Sequence, residues 1–164
     1  DGWFDTGDLG MLLPNGNLVI TGRAKDTIVL SNGENIEPGP LEEFLVKSVL
    51  FEQVMVIGQD EKQLGLLLVP QKEAVLDWVK SRNITLLSNL ELPPGDFALR
   101  KLLKQEVNTL LAQRKGSRNN ERVIGVACVE AFTIDNGLLT QTLKQKRAEI
   151  VKRNLEFIDL IYSR

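Results

Sequence analysis

Val54-Met55-Val56-Ile57-Gly58 and Leu64-Gly65-Leu66-Leu67-Leu68-Val69-Pro70 are two short apolar runs on either side of a polar turn, Gln59–Gln63. Runs of this length that are apolar at nearly every position are typical of strands buried on both faces. The two runs therefore predict adjacent strands at the centre of the fold. A similar run, Gly125–Phe132, predicts a third strand.

Helical patterns surround these runs without alternating regularly with them. Pro38 and Pro40 introduce one helix, because proline suits the first turn of a helix. Further helices are predicted at about Glu73–Lys80, from an N-cap at Asp96 to about Gln113, and over Arg147–Ile161, with a loop at Asn89–Gly95. We assign Val49 and Leu155 to the buried faces of the first and last helices. The pattern predicts an α+β fold in which helices cover a small three-stranded sheet.

Two β-hairpins are predicted before the first helix. Asn-Gly between apolar runs is a strong hairpin signal, and it occurs at Asn15-Gly16 and at Asn32-Gly33. A first turn centred on Asn15 and Gly16 places Asp8 directly opposite Arg23. Such a pair has two interpretations: an exposed ion pair of little energetic consequence, or a polar clamp for a vicinal diol such as ribose.

The composition excludes several classes of protein. The chain has 164 residues, 43% apolar content, a net charge of -2 and no histidine, so these residues contain no histidine base, Ser-His triad or histidine metal site. No apolar run reaches the length of a bilayer span. The single cysteine, Cys128, predicts a buried thiol in a reducing compartment, the cytoplasm or plastid stroma. Because the chain begins inside a motif, we expect a fragment of a longer protein.

Four blocks of the chain together resemble a known family. Trp3–Asp8, Gly22–Asp26, Ser31–Pro38 and Asn136–Arg147 are similar to consecutive signatures of the adenylate-forming superfamily, which contains acyl-CoA synthetases, peptide-synthetase adenylation domains and luciferases. The last block, Asn-Gly-Leu-Leu-Thr-Gln-Thr-Leu-Lys-Gln-Lys-Arg, resembles in particular long-chain fatty acid–CoA ligases and the cyanobacterial and plastid acyl-acyl carrier protein synthetases. The four blocks span nearly the whole chain.

The resemblance implies a role for the pair in the first hairpin and for the segment after it. Asp8 matches the family aspartate that holds both ribose hydroxyls of ATP, and Arg23 matches the arginine beside it. Lys25 lies where the family has its hinge, although Asp26 is one residue away. The resemblance therefore implies that residues 1–24 are the terminal hairpin of a large N-terminal domain and that residues 25–164 form the C-terminal lid domain.

Two further site residues follow from the resemblance. Gly33 would line the channel for the pantetheine thiol after domain rotation, whereas a simple alternative is that the turn needs a positive φ. Many relatives have glycine at the position of Asn32, and the asparagine side chain would narrow the thiol channel. Lys144 matches the lysine that contacts the α-phosphate and the substrate carboxylate, with Lys146 as its nearest rival. No metal ligand is predicted.

The implied reaction is that of an ATP-dependent fatty acid ligase. Fatty acid and Mg-ATP give acyl-adenylate and pyrophosphate, and a thiol of CoA or of acyl carrier protein then displaces AMP. The expected cofactors are ATP, Mg²⁺, and CoA or phosphopantetheine, and we expect this chain alone to be inactive. Peripheral membrane association of the longer protein is a further expectation. The alternatives are a stand-alone module that binds carrier protein and a structural interaction domain.

A cluster of cations, Arg114, Lys115, Arg118 and Arg122, also has two interpretations. The first is a mobile polar loop without a binding role. The second is a docking patch for an acidic carrier protein or for the phosphates of CoA. Nucleic acid binding is not favoured, because the net charge is negative and no aromatic residues lie among the cations.

Overall fold

A three-stranded sheet forms the centre of the molecule. The computed structural model describes residues 2–82 and 94–163. The sheet has the order β5-β6-β7, with β5 at Phe51–Ile57, β6 at Leu64–Pro70 and β7 at Val123–Cys128. Strand β6 pairs antiparallel with β5 and parallel with β7, and all seven of its residues are buried. The predicted pair of adjacent central strands is confirmed.

The third strand ends four residues earlier than the Phe132 that the sequence predicts. Strand β7 stops at Cys128, although Phe132 is buried. At Phe132 the main chain pairs with a side chain instead of a strand: its N–H donates to Gln53 Oε1 at 2.7 Å, and its carbonyl accepts from Gln53 Nε2 at 3.0 Å. The amide of Gln53 therefore satisfies the backbone of Phe132 beyond the end of the strand.

Five α-helices occur within the described residues: α1 (Pro38–Leu45), α2 (Lys72–Ser81), α3 (Phe97–Gln113), α4 (Arg147–Arg153) and α5 (Leu155–Tyr162). Asp96 caps α3 as predicted, because its Oδ1 accepts a hydrogen bond from the N–H of Leu99 at 2.8 Å. Of the predicted loop Asn89–Gly95, residues 89–93 lie outside the described residues. No helix in the described ranges has both the length and the apolar character that a membrane crossing requires.

The last predicted helix is wrong in one respect, since it is two helices. Asn154 separates α4 from α5, and its side-chain amide donates at 2.8 Å to the Ile150 carbonyl, which also accepts from the Asn154 N–H at 3.2 Å. Asparagine is a weak helix former, because its side chain competes for backbone hydrogen bonds in this way. The break turns Leu155 outward, so it is exposed and not buried as predicted. Val49 is also exposed, because α1 ends at Leu45 before reaching it.

Apolar side chains pack on both faces of the sheet. One face of β6, with Leu64, Leu66 and Leu68, packs against α1, α2, α3 and the second hairpin. The other face packs against α4 and α5. Cys128 is fully buried as predicted, and burial raises the pKa of its thiol to about 12, which keeps it protonated and unreactive near neutral pH.

Two hairpins precede α1, as predicted. The first joins β1 (Asp8–Leu12) to β2 (Leu18–Arg23), and the second joins β3 (Ile28–Val29) to β4 (Asn35–Ile36). The α+β prediction, with a small sheet, covering helices and two preceding hairpins, is therefore confirmed.

The register of the first hairpin is right at one end and wrong at the other. Asp8 is opposite Arg23 as predicted, but the predicted turn would place Leu12 opposite Val19, whereas Met11 occupies that position. The turn is one residue longer, closed by the N–H of Leu13 bonding to the carbonyl of Asn17 at 2.8 Å. A bulge in β2 then restores the pairing of Asp8 with Arg23.

Candidate functional site

A cleft of about 610 Å³ lies between the first hairpin, the start of α1 and the loop before α4. It brings together three of the predicted site residues, Asp8, Arg23 and Lys144, although Lys144 is far from the other two in sequence. Its other charged lining residues are Asp26, Glu37, Glu42, Glu43 and Arg147.

The pair in the first hairpin faces this cleft. Arg23 Nε lies 3.4 Å from Asp8 Oδ1, and the two side chains are 57% and 32% exposed, respectively. The hairpin register places both side chains on one rim, as the sequence predicts. Because they remain accessible, a carboxylate that accepts hydroxyl hydrogens and a guanidinium that donates beside it are both open to a ligand.

Lys144 reaches the cleft from a compact turn, Thr140–Lys144. The N–H of Thr140 donates to the carbonyl of Lys144 at 2.8 Å, and the N–H of Leu143 donates to the carbonyl of Thr140 at 2.9 Å. The N–H of Lys144 donates to Thr140 Oγ1 at 3.1 Å. Leu143 has φ of 61°, in the left-handed region that is unusual for a leucine. The turn holds the backbone of Lys144 and leaves its side chain exposed.

The two candidate lysines lie in different places. Lys144 lines the cleft with Asp8 and Arg23, whereas Lys146 lines a separate concavity beside α4 and Asn136. Of these two lysines, only Lys144 is therefore placed to act with the pair in the first hairpin.

Gln145 and Arg147, the residues on either side of Lys146, attach the loop before α4 to the sheet. Gln145 Nε2 donates to the carbonyl of Val54 at 2.9 Å. Arg147 donates to the carbonyl of Val56 and, at 2.8 Å, to Glu42 Oε1, which also accepts from the N–H of Val56 at 2.8 Å. These contacts occupy the free edge of β5 and anchor the chain on both sides of Lys146. The sequence did not predict these roles. The signal available was that residues 145 and 147 are two positions apart, so in extended chain their side chains lie on the same side.

Glu37 is a second member of the cleft that sequence reasoning missed. Its Oε1 accepts from Thr27 Oγ1 at 2.8 Å, while Oε2 is buried without a hydrogen-bond partner. A Cβ on Gly22 would lie 2.5 Å from that oxygen, so a larger residue at this position would displace the Glu37 carboxylate. The hairpin and α1 therefore meet in van der Waals contact at the base of the cleft.

The two remaining predicted site residues are not part of this cleft's lining. Lys25 is exposed in a short 3₁₀ turn, Ala24–Asp26, between the two hairpins, and it lines a neighbouring cavity of about 530 Å³. Gly33 lies at the exposed tip of the second hairpin with φ of 84°, and a Cβ there would meet nothing within 4 Å.

The basic cluster is partly neutralised. Glu121 is buried, and its carboxylate lies 2.6 Å from Arg114 Nη2 and 3.1 Å from Arg118 Nε. Burial alone raises the pKa of Glu121, but hydrogen bonds from the Arg118 N–H and from both guanidinium groups outweigh it, so its pKa is lowered. Arg114 and Arg118 therefore stabilise the turn, and Glu121 offsets one of the four positive charges on which the docking interpretation depends.

Comparison with known proteins finds a family match within this chain and several similar proteins. Residues 25–87 match the family model described as the AMP-binding enzyme C-terminal domain. The chain is 37% identical to a probable acyl-activating enzyme of Arabidopsis thaliana chloroplasts, over 99% of this chain and 23% of that protein. It is also 37% identical to a chloroplastic long-chain-fatty-acid–[acyl-carrier-protein] ligase of the same plant, over 99% of this chain and 22% of the relative.

The chain is also similar to an animal protein and to a solved structure. The human long-chain-fatty-acid–CoA ligase 1 is 36% identical over 99% of this chain and 23% of its own length. The adenylation domain of a carboxylic acid reductase from Segniliparus rugosus, solved with AMP and a carboxylic acid, superimposes with a TM-score of 0.77. It is 24% identical over 96% of this chain and 23% of that chain, which shows a shared fold. The chain thus spans about a quarter of these proteins, and the match to the AMP-binding enzyme C-terminal domain lies within it, at residues 25–87.

Proposed function

We propose that this chain is the C-terminal part of an ATP-dependent fatty acid ligase that makes acyl thioesters. The observation that carries the proposal is the convergence of Asp8, Arg23 and Lys144 on one cleft. Relatives named as ligases of long-chain fatty acids with CoA or acyl carrier protein support the substrate class. The longer protein that this proposal requires, the complete enzyme, would supply the acyl pocket and the remaining phosphate contacts.

We further propose that the domain boundary lies after residue 24, with Lys25 as the hinge. The first hairpin exposes a group of large apolar side chains that find no cover within the described residues: Met11, Leu12, Leu18, Val19 and Ile20. Such a surface is typical of a segment that packs against further protein. The family match begins at residue 25, which also supports this division.

In the first half-reaction, Asp8 and Arg23 would hold the ribose of ATP. The Asp8 carboxylate accepts hydrogen bonds from two adjacent hydroxyls, and Arg23 donates beside it. The cleft fits such a group, because it is open, polar on the rim and large enough for a nucleoside. Fixing the sugar on this rim would leave the α-phosphate within the same cleft that Lys144 lines.

Lys144 would supply positive charge to the reacting centre. A fatty acid carboxylate that attacks the α-phosphate brings two anions together, and negative charge accumulates on the phosphoryl oxygens. The Lys144 ammonium can contact both groups and stabilise the transition state more than the ground state.

Mg²⁺ would neutralise the charge of the ATP phosphates when bound. Across residues 2–82 and 94–163, no group of three or more histidine, cysteine, aspartate or glutamate side chains is placed to hold a metal ion. We therefore assign the metal contacts to the ATP itself and to the rest of the complete enzyme.

In the second half-reaction, a thiol of CoA or of phosphopantetheine on carrier protein would displace AMP. Gly33 is outside the cleft here, so the proposed channel role requires rotation about Lys25. The two acceptors, a cytoplasmic or plastid setting, and peripheral membrane contact of the complete enzyme all remain part of the proposal. The chloroplast relatives favour the plastid.

The decisive experiment compares Lys144→Ala with Lys146→Ala in the complete enzyme. We expect Lys144→Ala to slow adenylation, measured by ATP–pyrophosphate exchange, by about 100-fold or more, since it removes a charge contact to the transition state. Thioester formation from supplied acyl-adenylate should change far less. Lys146→Ala is the matched control and should leave both steps within about twofold. Equal loss in both half-reactions, or a larger effect of Lys146→Ala, would contradict the assignment.

A further inference from the structure

The hydroxyl of Thr140 is the centre of the turn that presents Lys144. Thr140 Oγ1 accepts from the N–H of Lys144 at 3.1 Å and lies 3.0 Å from Thr142 Oγ1. The main chain of Thr140 also exchanges a hydrogen bond with this turn, donating from its N–H to the Lys144 carbonyl at 2.8 Å. One threonine therefore binds both backbone groups of Lys144.

Both ends of the turn are anchored, because Leu139 pairs with Gln145 and Gln145 bonds to the Val54 carbonyl, but its tip is held by local hydrogen bonds. Leu143 adopts φ of 61°, a conformation that leucine disfavours, yet its side chain is 68% exposed and packs too little to compensate. Lys144 is exposed as well. A turn with an unfavourable dihedral and no buried side chain at its tip depends on its local hydrogen bonds, so losing the Thr140 hydroxyl should release it.

We propose that Thr140 is a positioning residue for Lys144, an inference that rests on the function proposed above. By binding the Lys144 N–H, the hydroxyl fixes the origin of the lysine side chain and directs it into the cleft shared with Asp8 and Arg23. The ammonium then loses less conformational entropy on reaching the transition state. Thr140 acts through Lys144 and contacts no reacting atom.

The first test uses Thr140→Val in the complete enzyme, because valine keeps the shape and removes the hydroxyl. We expect kcat for adenylation to fall about tenfold with KM for ATP changed less than about twofold, as befits a lost transition-state contact. Thr140→Ser should recover most of the rate. The matched control is Thr109→Val, which makes the same change on α3, where the hydroxyl bonds only to the Gln105 carbonyl of its own helix. It should leave the rate unchanged.

Two further measurements distinguish the positioning role of Thr140 from the proposed role of Lys144 on which it depends. In this chain, Thr140→Val should speed hydrogen exchange of the Lys144 amide about tenfold, whereas Thr109→Val should not. In a Lys144→Ala background, Thr140→Val should have no further effect on adenylation.

If Lys144→Ala slows adenylation but Thr140→Val does not, the positioning role alone is overturned. If Lys144→Ala itself has no effect, the proposed function fails and this inference fails with it. Equal defects for Thr140→Ser and Thr140→Val would also overturn it.

Discussion

The first hairpin and the central sheet are built from similar residues, but they differ in burial. Strand β6 buries all seven of its residues between helices. In the first hairpin, Leu12, Leu18 and Ile20 are 70%, 66% and 60% exposed, respectively. An isolated two-stranded hairpin has only marginal stability in water. The two regions therefore differ in role: the sheet contributes most of the burial that stabilises the fold, and the hairpin carries the proposed ligand-binding groups.

The largest expected effect is on the free energy of unfolding, and it is measured by making the same Leu→Ala truncation in the sheet and in the hairpin. Leu66→Ala should lower the free energy of unfolding by about 3 kcal/mol, because it removes a fully buried side chain and leaves a cavity. Leu18→Ala makes the same truncation in a strand that is exposed, and should change it by less than about 0.5 kcal/mol. Urea denaturation of this chain, at constant m, measures both. A similar loss for both variants would show that the hairpin shares the core.

The sequence predicts the sheet better than it predicts the hairpin register. Apolar runs such as Leu64–Pro70 have one solution, because only burial on both faces satisfies them. In the hairpin, the pairing of Asp8 with Arg23 is right because a longer turn and a bulge offset each other, and neither feature has a clear local signal. A correct pairing at one end therefore did not require a correct turn.

Side chains that act over long sequence separations were beyond prediction. Glu42 bonds to Arg147, and Gln145 bonds to the edge of β5, across about a hundred residues. Nothing in the local pattern identifies these partners, since each depends on which edge of the sheet the last loop crosses. The break at Asn154 was missed for a related reason: an apolar periodicity predicts which face is buried, but not the residue at which one helix ends and the next begins.

The second prediction compares a buried ion pair in the sheet domain with the exposed pair in the hairpin. Glu121→Gln should lower the free energy of unfolding by about 2 kcal/mol at pH 7, because it leaves Arg114 half-buried without its countercharge. Asp8→Asn is the matched control, and breaking its exposed pair should cost less than about 0.5 kcal/mol.

The Glu121 effect should also depend on pH. Because the folded-state pKa of Glu121 is lowered, its contribution is complete above the unfolded-state value of about 4.3 and is lost as the pH falls through the folded value. The difference between wild type and Glu121→Gln should therefore be constant from pH 7 to about pH 5 and shrink in more acidic solution. Urea titrations at several pH values measure it. A difference that grows on acidification would contradict the assignment.

Asp8, the hairpin residue with a proposed binding role, is expected to affect stability least of the residues compared. The hairpin therefore differs most from the sheet if an Asp8 variant loses ATP affinity but not stability. In the complete enzyme, Asp8→Asn keeps the side-chain shape but replaces one carboxylate oxygen by an NH2 donor and removes the negative charge, so it loses one of its two acceptor oxygens for the ribose hydroxyls. We expect KM for ATP to rise about tenfold, while KM for the fatty acid stays within about twofold. ATP-dependent adenylation rates and thermal unfolding, measured on one preparation, separate the two quantities. If stability and ATP affinity fell together, Asp8 would serve to hold the hairpin in place, and the cleft would lose its sugar-binding rim.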